Sequence, residues 1–579
     1  MQGIRFGFAA VLFLLALPAC ARQPQTWYVD YAQGKDGNTG RTPQQAWKHA
    51  PGDPAATGTP AGTTLQGGDV VQFRAGVPYR GSVTLRHSGA KDKPITFTGT
   101  GWGTGRAIID GANPVISNVP CPSAESCGGA ANWKDLRLVT FDEPEAGWFR
   151  LYDRAGPVYS SQYPVPPDLF NNDDRHHYLF IEDANKDEIQ AGRLKNAELA
   201  RLAEKGGPYT KLALWVRGNW ISHYRVDSVS GDTIYFNAKG LKLHQYQGAR
   251  AALVDSPHTL AVPGTLARLS ATSAVVWPHP DGGELVVGDG RSGINVSGQS
   301  HIVISGLHFV HGTGASGVRQ GVAILNTANA TSRDILIENN IFGPAAMRSG
   351  RGIFTPTRMD GVIFRNNRID TIEYGSGVRT GAGVSNIQVI GNLVTRFGRT
   401  GIYYGGVENG IVRGNIVHDA KSVHGNGMSF YLSNRNILVQ GNCVFDATRP
   451  ITFHGNKKGK RKAVVNNLIF RDNILVSTPD AQAALSSWGN QTDGVTIYNN
   501  ILLGGKRGIM LQTDDKNVKV VGNLMTQPGY RPLKGPPAGW LVRDNQEAPL
   551  SAAGAGKFSA SSCTMKGHSG VLTVSLTDN

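Results

Sequence analysis

From His301 to Met525 apolar and polar positions alternate in short runs, each closed by an asparagine. Ile335-Leu336-Ile337-Glu338-Asn339-Asn340 and Val495-Thr496-Ile497-Tyr498-Asn499-Asn500 are two of them. An apolar residue follows at Asn340-Ile341, Asn392-Leu393, Asn415-Ile416, Asn442-Cys443, Asn473-Ile474, Asn500-Ile501 and Asn523-Leu524, whereas Asn367-Arg368 keeps only the asparagine. Successive anchors lie 23 to 31 residues apart. Alternation of period two predicts strands, and its recurrence at this spacing predicts a solenoid of stacked coils. Asparagines stacked at one corner can bond amide to amide from coil to coil, which accounts for the residue type.

Between the anchors a glycine leads a second short strand: QGVAILN from Gln320, RGIFTPT from Arg351, SGVRTGA from Ser376, TGIYYGG from Thr400, NGMSFYL from Asn426 and RGIMLQT from Arg507. RPITFHG from Arg449 has proline in the glycine's place. Each coil therefore holds two strands and a corner, with a short third strand after the asparagine (Ile341-Phe342, Ile416-Val417, Ile474-Leu475). This layout resembles the right-handed parallel β-helix of the pectate-lyase-like superfamily. The resemblance implies an all-β solenoid and leaves the chemistry open, because that fold hosts several activities.

The rest of the chain divides around this repeat. Residues 1–20 carry Arg5, an apolar run from Phe6 to Leu17 and then Leu17-Pro18-Ala19-Cys20, an export signal. Its end resembles a bacterial lipobox, which would make Cys20 a lipid attachment point and the protein an outer-membrane lipoprotein; ordinary cleavage around Ala19-Cys20-Ala21 is the alternative. No later segment is apolar for long enough to span a bilayer. Residues 26–113 (Tyr28-Val29-Asp30, Gly68 to Phe73, Gly81 to Leu85, Pro94 to Gly99, Ala107 to Gly111) resemble the opening coils of exported β-helix polysaccharide lyases and related hydrolases. Across 114–292 the period vanishes. That region holds Trp133, Trp148, Trp215, Trp220 and Trp277 and a helical pattern from Lys186 to Lys205, and its stretch from His258 resembles the insert of several β-helix glycoside hydrolases. Such an insert can wall a groove, with tryptophans stacking on sugars or simply forming its own core. Regular coils then run over 293–525, and 526–579 reads as a cap and tail.

Composition adds three constraints. Gly 74 and 17% charged residues suit many tight turns. A formal net charge of +15, without a nucleic-acid-binding motif, points to an acidic polysaccharide, or else to solubility or an anionic membrane. Of the five cysteines, Cys121 and Cys127 are close enough in sequence to pair once exported. Cys443 occupies the place of Ile416, Ile474 and Ile501, which reads as an apolar stack member rather than a partner of Cys563. No spacing suits zinc, and no acidic cluster supports calcium.

Alternation also locates candidate chemistry. In the glycine-led strands the apolar residue after the glycine (Val322, Ile353, Val378, Ile402, Met428, Ile509) points inward, so Arg379, Tyr403, Ser429 and Thr452 point outward, as do Tyr431 and His454 two residues further along. Arg351, Arg399, His424, Asn426, Arg449 and Arg507 come just ahead of the strands, and Lys457, Lys458, Lys460, Arg461 and Lys462 follow His454. The face is rich in Arg, His, Tyr and Lys and sparse in carboxylates. Hydrolysis of a glycosidic bond calls for two carboxyl groups; Glu373, Glu408, Asp493, Asp514 and Asp515 form no evident pair. Elimination across a uronic acid calls instead for a cation on the carboxylate, a base and a proton donor. Those roles fall on Arg379, Arg399 or Arg449, on His424 or Tyr403, and on Tyr431 or His454. Arg351, Asn426, Lys457, Lys458, Trp488 and Arg507 are candidate substrate contacts. Tyr404 should face inward, and a slip of one residue would exchange it with Tyr403.

The leading expectation is an exported polysaccharide lyase acting on an acidic glycan without a cofactor. A glycoside hydrolase is the alternative, followed by a uronate epimerase or a non-catalytic glycan-binding surface protein.

Overall fold

The computed structural model describes residues 22–144, 149–170, 177–217, 220–241, 243, 248–312, 322–347, 351–420, 425–455, 465–488, 492–533 and 535–576. His424, Lys457, Lys458, Lys460, Arg461, Lys462, Cys20, Trp148 and Gln320 lie outside them.

The repeating alternation folds into three parallel sheets wound as a right-handed β-helix. The first sheet has 13 strands, from Thr26–Val29 to Leu541–Arg543. The second also has 13, from Pro78–Tyr79 to Gln546–Glu547, and the third has 11, from Val83–Thr84 to Gly529–Arg531. Ile95–Thr98 pairs directly with Ile302–Ser305, and Ala107–Asp110 with Leu307–Val310, so the N-terminal coils continue into the regular ones. The insert leaves the helix after Asp110 and returns before Ile294. It contains an eight-stranded and a seven-stranded sheet. Its helical stretch is broken: Lys186–Gln190 and Ala197–Glu204 flank the strand Arg193–Lys195. Gly192 at φ +81° ends the first helix and Asn196 caps the second through its side chain.

One buried asparagine ladder fixes the winding. Both the backbone N–H and Nδ2 of Asn340 donate to Oδ1 of Asn367, and the same double bond passes on through Asn392, Asn415, Asn442, Asn473, Asn500 and Asn523 to Asn545, all at 2.9–3.1 Å. Asn367 belongs to it despite Arg368, because the amide and not the following residue makes the bonds. A second, exposed ladder was not anticipated. At the start of the first-sheet strands Asn409 donates to Asn386, Asn436 to Asn409 and Asn467 to Asn436, at 3.0–3.2 Å. All four have φ between 52° and 58°, a left-handed bulge conformation that asparagine tolerates.

The C-terminal region departs from a trailing tail. One more coil forms up to Glu547, and then the hairpin Ser562–Gly567/Gly570–Ser575 folds back. Leu393, Ile416, Cys443, Ile474 and Ile501 are in register on the second sheet, as the sequence pattern places them. Their neighbours Val394, Val417, Val444, Leu475 and Leu502 fill the solenoid core, so this row faces outward and is buried by Cys563, Met565 and Val574. Cys443 is accordingly a stack member that is also disulfide-bonded to Cys563, which corrects the expectation for that pair. Cys121 and Cys127 are bonded as well.

Candidate functional site: the outer face of the third sheet

Strand register carries the outward residues of the third sheet into two rows. Arg379 stands opposite Tyr403, Tyr403 opposite Ser429, Ser429 opposite Thr452, and Thr452 opposite Ser486. Two residues along, Gly405 stands opposite Tyr431 and Tyr431 opposite His454. Trp488, whose N–H donates to the Phe453 carbonyl at 2.9 Å, continues this row. Tyr404 is fully buried and its hydroxyl donates to the Ile411 carbonyl at 3.2 Å, so the inward and outward tyrosines are as the alternation requires. One coil is out of step. Gly352 lies opposite Ser376 rather than Gly377, because Phe354 takes the inward place and stacks on Phe364 at 4.9 Å. Ile353 is buried too, so two consecutive apolar residues hid the slip.

The chemistry falls into two groups. In the first, the Arg379 guanidinium lies over the Tyr403 ring, 4.0 Å from its centroid. Burial lowers the Arg379 pKa; Tyr403 pulls it back in part, and Arg351 adds a smaller lowering. Burial raises the Tyr403 phenol, with Arg379 and Arg399 pulling it back. In the second, the rings of Tyr431 and His454 meet nearly perpendicular at 3.7 Å, and Tyr431 is 6.2 Å from Tyr403. Burial pushes His454 down to about 4, so the imidazole is neutral at neutral pH. Its Nδ1 is 3.1 Å from the Gly455 carbonyl oxygen, which can only accept; Nδ1 therefore carries the hydrogen and Nε2 keeps a lone pair. The Arg449 guanidinium sits 5.7 Å from the Trp488 ring, at the other end of the His454 strand, and burial lowers its pKa. Asn426 is aligned between Thr400 and Arg449 with a buried Oδ1 that has no hydrogen-bond partner among the described residues. Arg507 does not join them: its Nη1 donates to the Pro528 carbonyl at 2.9 Å and the side chain packs over Gly529, bracing the next coil.

The acidic candidates are elsewhere. Glu373 is buried against Arg150 of the insert at 2.6 Å. The Asp515 carboxylate accepts from the inward Ser487 hydroxyl at 2.9 Å and from Thr492 N–H, and burial raises its pKa to about 6. Glu408 and Asp493 belong to the first sheet. The segments 313–321, 348–350, 421–424, 456–464 and 489–491 contain no Asp or Glu in their sequences. Among the described residues, no three His, Cys, Asp or Glu side chains converge as a metal site would require.

The insert stands next to this face. Arg150 meets Glu373, Asp168 meets Arg396 at 3.6 Å, and Phe170 lies under the same guanidinium at 4.9 Å. Glu373 and Arg396 belong to the second-sheet strands that lead into the Arg379 and Tyr403 strands, so the insert docks at one edge of the candidate site. Trp133, Trp215 and Trp277 pack within the insert's own clusters.

The fold and the comparisons define the class: a right-handed parallel β-helix. The family model described as "Right handed beta helix region" matches residues 292–469 and 352–502. No curated protein matches the chain. Among solved structures, one titled "Glycoside hydrolase" is 14% identical, with 90% of this chain and 96% of that chain covered and a TM-score of 0.58, a likeness of fold. XylC in complex with xylose is 12% identical over 86% of this chain and 75% of its own, with a TM-score of 0.47. The GH136 lacto-N-biosidase of Eubacterium ramulus is 11% identical over 91% and 68%, with a TM-score of 0.33.

Proposed function

We propose that this protein is a carbohydrate-active enzyme that cleaves an acidic polysaccharide by β-elimination at the Tyr431–His454 pair. The observation that carries the reading is His454: neutral, with Nε2 left as the proton acceptor, touching a phenol that can donate and standing in the same row as Trp488, whose ring Arg449 approaches at 5.7 Å. Arg449 offsets the uronate carboxylate and so acidifies the neighbouring C5–H. His454 Nε2 takes that proton, the C4–O4 bond breaks as C4=C5 forms, and the Tyr431 hydroxyl protonates the departing O4. Two disulfides in the chain suit the oxidising compartment that an export signal implies, where such glycans are met.

Hydrolysis is the second reading. The whole-length likeness to a structure titled "Glycoside hydrolase" supports it. It needs two carboxyl groups across a glycosidic bond; Asp168 and the buried Glu373 are described carboxylates at the insert edge of the site. Incubation with polygalacturonate, alginate and hyaluronan separates the two. Elimination gives ultraviolet-absorbing unsaturated ends that vanish in His454→Ala; new reducing ends without that absorbance would establish hydrolysis instead.

A further inference from the structure

Arg379 cannot serve the same sugar as His454. Register places Arg379, Tyr403, Tyr431 and His454 on four successive coils. Three steps between neighbouring strands separate Arg379 from His454 by about 14 Å along the solenoid axis. A cation at that remove neither polarises the reacting carboxylate nor touches the leaving oxygen.

Yet the Arg379–Tyr403 pair is a built feature. Tyr403 lies down over Gly405, where a Cβ would come within 2.7 Å of its ring, so only glycine lets the phenol adopt this pose. The Gly405 N–H is held by the Thr380 hydroxyl at 2.7 Å, and Thr380 N–H bonds the Tyr403 carbonyl at 3.0 Å. The ring in turn fixes the Arg379 guanidinium at 4.0 Å. Among the described residues no acidic side chain pairs with Arg379, and Arg351 adds a second positive charge beside it. A guanidinium oriented by an aromatic face keeps its planar N–H fork for an external oxyanion.

We infer that Arg379, with Arg351 on the neighbouring coil, is a second anion subsite, which binds the carboxylate of a different sugar of the same chain. This rests on the proposed reaction centre at His454. It assigns the substrate class: a glycan with more than one acidic residue, lying parallel to the solenoid axis, rather than a neutral chain with a single acidic end. It also removes Arg379 from the catalytic role that its residue type suggests. Arg379 is a specificity residue, and Gly405 a positioning residue for it.

The test compares Arg379→Met and Arg379→Lys with the parent enzyme on whichever uronate polymer of the panel it cleaves, and on an oligosaccharide of that polymer with all but one carboxyl esterified. For the polymer, Arg379→Met should raise KM about tenfold with kcat within about twofold, and Arg379→Lys should recover part of the loss. For the singly charged oligosaccharide the parent enzyme should already show the high KM, and Arg379→Met should add little. A fall in kcat with KM unchanged would put Arg379 in the reaction centre and overturn the inference, as would an equal KM effect on both substrates. If His454→Ala turns the polymer over as fast as the parent, the reaction centre itself is wrong and the inference falls with it.

Discussion

Asn415→Ala tests the buried ladder where it matters most to the site, between the coils of Tyr403 and Tyr431. The Asn415 side chain accepts from the Asn392 backbone N–H and Nδ2, both at 2.9 Å, and donates to the Val389 carbonyl and to Asn442 Oδ1, both at 2.9 Å. Asn415 and both neighbouring ladder residues are fully buried. Alanine strips an acceptor from the Asn392 N–H and a donor from the Val389 carbonyl; at about 1–3 kcal/mol for each buried group left without its partner, the loss is about 2–6 kcal/mol. Asn545→Ala removes the equivalent bonds at the half-exposed end of the ladder, where water can replace them, and should cost about 1 kcal/mol or less. Asn409→Gly, in the exposed ladder at φ +58°, should be within about 0.5 kcal/mol of neutral, because glycine accepts that backbone conformation.

Urea unfolding followed by circular dichroism ranks the three variants, and hydrogen exchange at the Asn392 amide reports the local effect. The expected order is Asn415→Ala far below the other two, with the Asn392 amide losing protection. If Asn415→Ala unfolds at the same midpoint as Asn545→Ala, the buried amide bonds do not hold the coils together and the account of the winding is wrong.

Two further outcomes follow from the same geometry. Replacing Cys443 and Cys563 by Ala opens a linkage spanning 120 residues, for which chain entropy gives an upper bound of about 5 kcal/mol; limited proteolysis should then cut between 548 and 576, and an unchanged digestion pattern would show that apolar contacts alone hold the hairpin over Ile416 and Ile474. His454 should set the acidic limb of kcat/KM near pH 4 rather than 6.5, since burial holds the folded-state pKa at about 4 and the neutral form is the base. The sign for stability follows: the unfolded chain binds the proton first, so His454 contributes a loss of stability as pH falls from 6.5 towards 4. A half-loss of activity near pH 6.5 would mean that another histidine is the base.

The rows of the third sheet were legible in sequence because each strand alternates strictly after its glycine: Val378-Arg379, Ile402-Tyr403 and Met428-Ser429 place one residue in and the next out. Legibility failed where alternation did. Ile353-Phe354 are both apolar, and only the stacking of Phe354 on Phe364 decides which takes the inward register. Cys443 was legible as part of a row but not as to side, because a row of Leu and Ile reads alike whether it fills the solenoid or lies under a strap contributed by residues far along the chain. The exposed ladder had a visible signal, a polar or glycine residue near the start of eight successive first-sheet strands (Asp334, Gly361, Asn386, Asn409, Asn436, Asn467, Gly494, Asn517), all with positive φ. For the site, residue types suggested one constellation; the coil spacing divides it into two.

A comparison of arginines within this one molecule bears on where the missing negative charge comes from. Arg150 is buried in the insert, and although burial lowers its pKa, Glu373 at 2.6 Å, with Tyr374, Tyr152 and Tyr159, offsets that and the net shift is upward. The chain therefore supplies a carboxylate when it needs to hold a buried guanidinium for structural reasons. Arg379 is only half-buried, but its pKa is shifted downward, and an aromatic ring occupies the place a carboxylate would take. Keeping such a charge partly out of water costs folding energy that the Tyr403 ring offsets in part and that no carboxylate among the described residues returns. A solenoid can carry this cost because each coil is stabilised by its own core residues and its own asparagine, independently of what its outward positions do. The third sheet's outer face is thus free to hold charge that is compensated only when an anion arrives, and an anion repeated along a linear chain is the ligand whose geometry matches a charge repeated along a stack of coils.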